Sequence, residues 1–227
     1  NLPYTGSGVT ASALCLNKLR TKEILLFHGL PTPPYVSLPR GSFPSKLPFD
    51  FPVVVKPNSL GSTIGISIVK EKKHLAAAVE KAFSHDSEVF IEKYISGVEV
   101  TVSLLGNDPP AVLPMIQIET ASGFYDYKAK YTPGASRHRI PPELPEKARK
   151  KAARVSLKAY LILGCRDLAR IDLMVDRDGH PWILDVNTIP GFTRTSLVPD
   201  AARAAGIEFD ELCDRLIALA ISRQCRQ

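Results

Sequence analysis

The chain has 227 residues, 44% hydrophobic and 23% charged, an ordinary globular composition with enough apolar material for one large domain or two small lobes. No apolar run approaches a membrane span, no basic-then-apolar leader opens the chain, and the four cysteines (Cys15, Cys165, Cys213, Cys225) form no C-x-x-C pair; this excludes the membrane-spanning, zinc-cluster and disulfide-framework classes and fits a reducing cytoplasm, with Cys15 and Cys165 as buried small hydrophobes. Much of the formal charge of +6 falls in "EKARKKAARVSLK", the solvated face of an amphipathic helix, so neither nucleic acid nor membrane is expected as a partner, and anionic substrates are a second reason for the excess.

The opening "NLPYTGSG" lacks an initiator Met and reads like mid-domain sequence, as in a fragment, a processed form or a truncated one. Residues 8–28 predict a single helix ended by Gly29 and the Pro31/Pro33/Pro34 cluster. The Pro-, Ser- and Gly-rich stretch 31–52 predicts a connector with a short strand at 35–38, followed by the strand "FPVVVKP", the loop "NSLGSTIGIS", the strand "ISIV" and a helix over 72–84. "EVFIEKYI", "VEVTVSLLG" and "AVLPMIQIE" predict successive strands with turns at Gly97 and Asn107-Asp108. "TASGFYDYKAKYTPGASRHRIP" predicts a long functional loop, followed by a helix from Pro142 to Gly164, a hairpin, and helices near 199–205 and 208–223. The class is mixed α and β.

The hairpin carries the strongest chemical signal. Asp172 in "RIDLMV" and Asp185 in "ILDVN" flank the turn "DRDG", and a two-residue Asp178-Gly179 turn sets Asp172 across from Asp185 and Arg170 across from Asn187. Those four residues then share one face, while Ile171, Leu173, Leu184 and Val186 supply the core on the other. Like charges directly opposite each other destabilise a sheet, so the pair predicts a hard cation between them, with Asn187 as a neutral oxygen ligand. Magnesium fits better than calcium, because there is no calcium-loop spacing and the protein oxygens are few. The bland alternative is a solvated hairpin face. Just beyond, "NTIPGFTRTS" gathers Gly191, Thr193, Arg194, Thr195 and Ser196, donors suited to a carboxylate or an oxyanion.

"KPNSLGSTIG" lies between two strands, so it is not a Walker A loop, but its glycines and hydroxyls can fold over phosphate oxygens, with Lys56 or Lys18 as a point charge. A surface hairpin is the alternative. The end of "VFIEKYI" predicts free edge backbone groups for an adenine ring, with Glu99 for ribose hydroxyls; a solvent-exposed strand end is the competing explanation.

Taken in order, "LPYTGSG", "NKLRTK", "VVVKP…GSTIG", "IEKYISGVE", "FYDYKAKY", "GCRDLARIDLMVDRDG", "NTIPGFTRTSLVP" and "AARAAGI" resemble the D-alanine–D-alanine ligases of the ATP-grasp superfamily, from the first residue almost to the last. The resemblance implies an α+β ATP-grasp fold, with two lobes whose antiparallel sheets grip ATP. Residues 1–20 would be a remnant of the N-terminal and linker helix region, 21–105 the central lobe and 106–227 the C-terminal lobe with the metal and substrate site. It implies phosphorylation of one D-alanine carboxylate and attack on the acyl phosphate by a second D-alanine, for peptidoglycan precursors, with ATP and two Mg2+ ions (Mn2+ as an alternative). Lys18 and Lys56 would hold phosphates under Ser62 and Thr63; Glu92, Lys93 and Ile95 would line the adenine pocket; Glu99 would bind ribose; Lys130 would reach the γ-phosphate as the long loop closes. Asp172, Asp185 and Asn187 match the metal ligands, Arg170 and Gly191 the groups that stabilise the tetrahedral intermediate, Ser196 and Leu197 the contact to the second substrate's carboxylate, and Tyr131 the tyrosine of the peptide-forming type.

Three departures stand out. Asp185 replaces the family's usual Glu, shortening a metal ligand by ~1.5 Å. Asn17 replaces Asp, and the family's N-terminal lobe, which grips the first D-alanine, is absent. The competing readings are another ATP-grasp carboxylate–amine ligase, a non-catalytic nucleotide-binding module and, weakest, a basic nucleic-acid-binding protein. The oligomeric state is left open, with the family's usual homodimer as the expectation.

Overall fold

A computed structural model describes residues 2–44, 46–61, 63–120 and 136–224. Helices α1 (Val9–Leu16) and α2 (Lys18–Phe27) lead into a four-stranded antiparallel sheet of β1 (Tyr35–Pro39), β2 (Val53–Pro57), β3 (Ser67–Val69) and β4 (Glu88–Lys93), in the order β1-β4-β2-β3. Helix α3 (Leu75–Phe83), entered through a 3-10 turn at Lys72–His74, covers this sheet, and Val53, Val55, Val69, Leu75, Val79, Val89 and Ile91 form the core between them.

The second sheet contains β5 (Gly97–Leu105), β6 (Ala111–Val112), β7 (Ile116–Thr120), β8 (Ser136–Arg139), β9 (Leu168–Asp176) and β10 (Pro181–Asn187). Its order is β10-β9-β5-β7-β8, with β6 paired to β5. Helix α4 (Glu146–Ile162) packs Ala152, Val155 and Ala159 against Val102, Ile171 and Leu173, and Cys15 and Leu25 of α1 and α2 join the same core. Helices α5 (Leu197–Ala204) and α6 (Phe209–Gln224) form a second cluster with Leu105, Ile116, Ile118 and Leu168.

Several sequence expectations need correction. The predicted 8–28 helix is broken at Asn17, whose extended backbone ends α1 while its Oδ1 accepts the Arg20 N–H at 3.0 Å and caps α2. "AVLPMIQIE" is two strands separated around Pro114, which cannot donate to a ladder. Helix α4 starts at Glu146 rather than Pro142, because Pro145 disfavours helical backbone at the residue before it. The end of the expected long loop, 136–139, is the edge strand β8, while 121–135 lie outside the described residues. Strand β5 lies in the middle of the larger sheet, so the smaller sheet ends at Lys93 and the larger one begins at Gly97. Gly97 opens β5 because any Cβ there would lie 2.0 Å from the Val175 carbonyl oxygen.

The hairpin differs from expectation in a revealing way. The Gly179 N–H donates to the Asp176 carbonyl, Gly179 has φ +74°, and the Asp176 N–H meets the His180 carbonyl, so the loop has three residues instead of two. The turn-proximal pairs are Pro181↔Val175, Trp182↔Met174 and Ile183↔Leu173. A β-bulge at Leu184 then shifts the register by one, giving Asp185↔Asp172, Val186↔Ile171 and Asn187↔Arg170. The expected juxtaposition of the two aspartates is therefore present, reached by two irregularities that cancel. Ile183, not Leu184, is the buried core residue.

Candidate active site

Strand β9 alternates strictly: Ile171, Leu173 and Val175 are fully buried, while Arg170, Asp172, Met174 and Asp176 are half-buried on the other face. Register carries that face across three strands. Thr101 of β5 and Asp185 of β10 flank Asp172, Ser103 and Asn187 flank Arg170, and Glu99 and Trp182 flank Met174.

Asp172 is the hub. Arg170 donates to it through Nε and Nη2, each at 2.8 Å, the Thr101 hydroxyl donates at 2.8 Å, and Asn187 Nδ2 donates at 3.1 Å. Asn187 therefore has its amide nitrogen engaged and its carbonyl oxygen left for a cation. Asp185 lies 3.5 Å from the Lys18 ammonium. Each of two paired carboxylates is thus matched to a protein cation, the arrangement expected where carboxylates need positive charge between them. Two carboxylates and an amide oxygen on one face suit a hard, oxygen-seeking divalent ion such as Mg2+. Among the described residues, one other group could hold a metal, Asp176, Asp178 and His180 at the hairpin turn. There the Asp176 oxygens already accept the Asp178 and His180 N–H groups and the Trp182 indole, so the turn itself accounts for them.

Lys18, at the start of α2, also donates to the Leu60 carbonyl at 2.9 Å, tying the glycine loop to β10. In that loop Thr63 and Gly65 adopt positive φ, +64° and +72°, and a Cβ at Gly65 would lie 2.7 Å from the Pro57 ring. Ser62, Lys130 and Tyr131, which the resemblance places in the site, lie outside the described residues.

Lys56 and Glu92 belong to a buried ionic cluster that sequence reasoning missed. Glu92, 1% exposed, pairs with the Lys56 ammonium and sits 2.9 Å from that of Lys22. Lys22 also donates to Thr32 Oγ1 at 2.7 Å and to the Pro33 carbonyl at 3.2 Å, and the Thr32 hydroxyl donates to the Ile183 carbonyl at 2.9 Å. Burial alone would push the Glu92 carboxyl up, but the two ammoniums outweigh it and hold it below its usual range. Burial draws the Lys22 ammonium down, against the opposing pull of Glu92. Lys22 was legible only as one more base in "NKLRTK"; nothing local marks it as buried.

The expected adenine edge is altered. Strand β4 is interior, between β1 and β2, and the N–H groups of Lys93 and Tyr94 are taken by the Pro34 and Pro52 carbonyls. Glu92 faces the lysines. Ile95, just past the strand, is half-buried, and Glu99 lies across from Met174 on β9. Met174 and Trp182, also missed, give that end of the face an apolar surface suited to a planar base.

After β10 the chain turns through Pro190-Gly191. The Ser196 hydroxyl accepts the Thr193 N–H at 2.9 Å and contacts the Thr193 hydroxyl at 2.8 Å, holding the turn that opens α5. Leu197 buries its side chain while its backbone begins the helix, whose first N–H groups have no intrahelical acceptor. Arg194 is turned away, paired with Asp210 and stacked on Phe209.

The D-ala D-ala ligase C-terminus family model matches residues 24–218. A D-alanine–D-alanine ligase from Pelotomaculum thermopropionicum is 49% identical over 231 residues, covering 97% of this chain and 73% of that protein. One from Desulforamulus reducens is 48% identical, covering 98% and 74%. The crystal structure of the Bacillus anthracis D-alanine–D-alanine ligase complexed with ATP superposes with a TM-score of 0.82 at 36% identity, over 99% of this chain and 72% of that one. The VanG D-Ala:D-Ser ligase of Enterococcus faecalis superposes at 0.83 with 34% identity, over 96% and 65%. On sequence and fold alike, this chain belongs to the D-alanine–D-alanine ligase family.

Proposed function

We propose that this chain carries the nucleotide, metal and phosphoryl-transfer machinery of an ATP- and Mg2+-dependent ligase that joins two D-alanines through a D-alanyl phosphate for peptidoglycan precursors. The observation that carries this reading is the three-strand face on which Asp172, Asp185, Asn187 and Arg170 converge. Magnesium, bound there, supplies charge dispersal on the transferring phosphoryl group. Asp172, Asp185 and the Asn187 carbonyl oxygen are its ligands, with Thr101 orienting Asp172. Lys18 and Lys56 take phosphate oxygens as point charges beneath the glycine loop with Ser62 and Thr63.

Arg170 donates to Asp172 through Nε and Nη2, which holds its guanidinium on this face. There it would stabilise the oxyanion of the tetrahedral intermediate, assisted by the Gly191 N–H. Ser196 and the first N–H groups of α5 receive the second substrate's carboxylate. Ile95, Glu99 and Met174 receive the nucleoside, and Lys130 and Tyr131 act from the long loop. Residues 21–105 and 106–227 are the central and C-terminal lobes of this reading, with β5 lending the second its middle strand. The reaction is cytoplasmic, and the assembly we expect is a homodimer.

The test is ADP formation by the 227-residue chain with and without D-alanine, D-serine and D-lactate, with Arg170→Ala as control. D-Alanine should stimulate ADP release most, and the control should lose about a hundredfold or more of that rate. Mg-ATP binding without stimulation by any acceptor would instead identify a nucleotide-binding module.

A further inference from the structure

The Lys22–Glu92–Lys56 cluster contains more charge than a structural ion pair needs. All three groups are buried, at 2%, 1% and 8% exposure, and when ionised they carry one positive charge in excess. Ionised groups in such a place are costly, and even a matched buried pair often stabilises no more than packed apolar side chains would. One lysine would neutralise Glu92. A second, reaching the same carboxylate from another element, gains nothing for folding that an apolar side chain would not supply. The excess charge makes sense if an anion completes the cluster.

Lys56 is the member at the phosphate side, at the end of β2 and directly before the glycine loop. Paired with Glu92 alone, it would be well anchored but electrically spent, and a polyphosphate would find little attraction there. Lys22 resolves the conflict from below. It sits on α2 one helical turn past Lys18, contacts the second oxygen of Glu92, and is steadied by the neutral oxygens of Thr32 and Pro33. The Glu92 oxygen it faces lies 2.9 Å from its ammonium, a close ion-pair contact.

We propose that Lys22 is a positioning residue of the nucleotide site: by sharing Glu92, it lets the carboxylate hold Lys56 in place without cancelling the positive charge offered to the triphosphate. The proposal rests on Lys56 being a phosphate contact.

The experiment measures ATP dissociation constants, with Mg2+ and without D-alanine, for the parent chain and for Lys56→Ala, Lys22→Met, Glu92→Gln and the double variant Lys22→Met/Glu92→Gln. Lys22→Met leaves the cluster neutral and should weaken ATP binding about tenfold, the effect of one unit charge at close range in a partly screened cleft. Glu92→Gln keeps an oxygen acceptor for Lys56 and should bind ATP at least as tightly as the parent. The double variant restores one excess charge and should return to within about threefold of the parent. A purely structural role predicts the opposite, two losses that accumulate. An unchanged constant in Lys22→Met, or a double variant weaker than either single, would overturn the proposal. Should Lys22→Met fail to fold, Glu92→Gln alone decides, since weaker binding there contradicts charge balancing. Unaltered ATP binding by Lys56→Ala would instead overturn the phosphate reading beneath it, separating the two failures.

Discussion

Asp185 has a short side-chain reach, because its carboxylate stays near its own backbone. Its Oδ1 accepts the neighbouring Val186 N–H at 3.1 Å and lies 3.5 Å from the Lys18 ammonium, so the carboxylate stays close to its own backbone. Asp185→Glu extends it by ~1.5 Å toward Asp172. The expected outcome is tighter Mg2+ binding, by about threefold to tenfold, and faster ADP formation, read from a magnesium titration of both. Residues with local signals were legible: Asp172, Arg170 and Asn187 announced themselves because strand alternation fixes which side chains share a face. Lys22 and Glu92 were not, because a charge buried by a distant partner looks in sequence like any solvated one. Asn17 shows the same limit, its capping role emerging only once α1 and α2 are seen to break there.

At the level of elements, the two-sheet layout follows from β-branched runs and their turn residues, whereas the irregular pieces were hidden. "SRHR" carries no apolar alternation, so β8 was indistinguishable from loop until its pairing with β7 was seen. The Leu184 bulge left no trace either, since Leu is equally at home in a strand core. Gly97 is the junction on which both sheets depend, with β4 ending just before it and β5 beginning there. Gly97→Ala would drive a methyl into the Val175 carbonyl at 2.0 Å, forcing β5 off β9. A loss of about 2–4 kcal/mol is expected, measured by urea unfolding, together with weaker ATP binding because Glu99 and Thr101 ride on the displaced strand.

The whole molecule is joined by polar ties as well as by apolar packing. Lys22 of α2 reaches Glu92 in the smaller sheet, and through Thr32 it reaches the Ile183 carbonyl in the larger one. Lys18 links the glycine loop to Asp185. A pH signature follows. Because the Glu92 carboxyl is held below its ordinary 4.5, the unfolded chain binds the proton more readily. Its contribution to stability is therefore complete above pH 4.5 and lost as pH falls through the lower folded value. Glu92→Gln should flatten the decline of stability with acidification below that point, measured by denaturant unfolding across pH 3 to 6, a range of about three units around the ordinary carboxylate value.

The extra residue in β10 has a consequence for length variation. Leu184 is the one supernumerary position in the ribbon, so excising it would leave an uninterrupted ladder in which Ile183, Asp185, Val186 and Asn187 keep their present sides. Excising Val186 would turn Asn187 inward, off the face it shares with Asp172 and Asp185. A single-codon deletion scan through this strand, read by magnesium-dependent nucleotide retention, should therefore show one tolerant position amid intolerant neighbours.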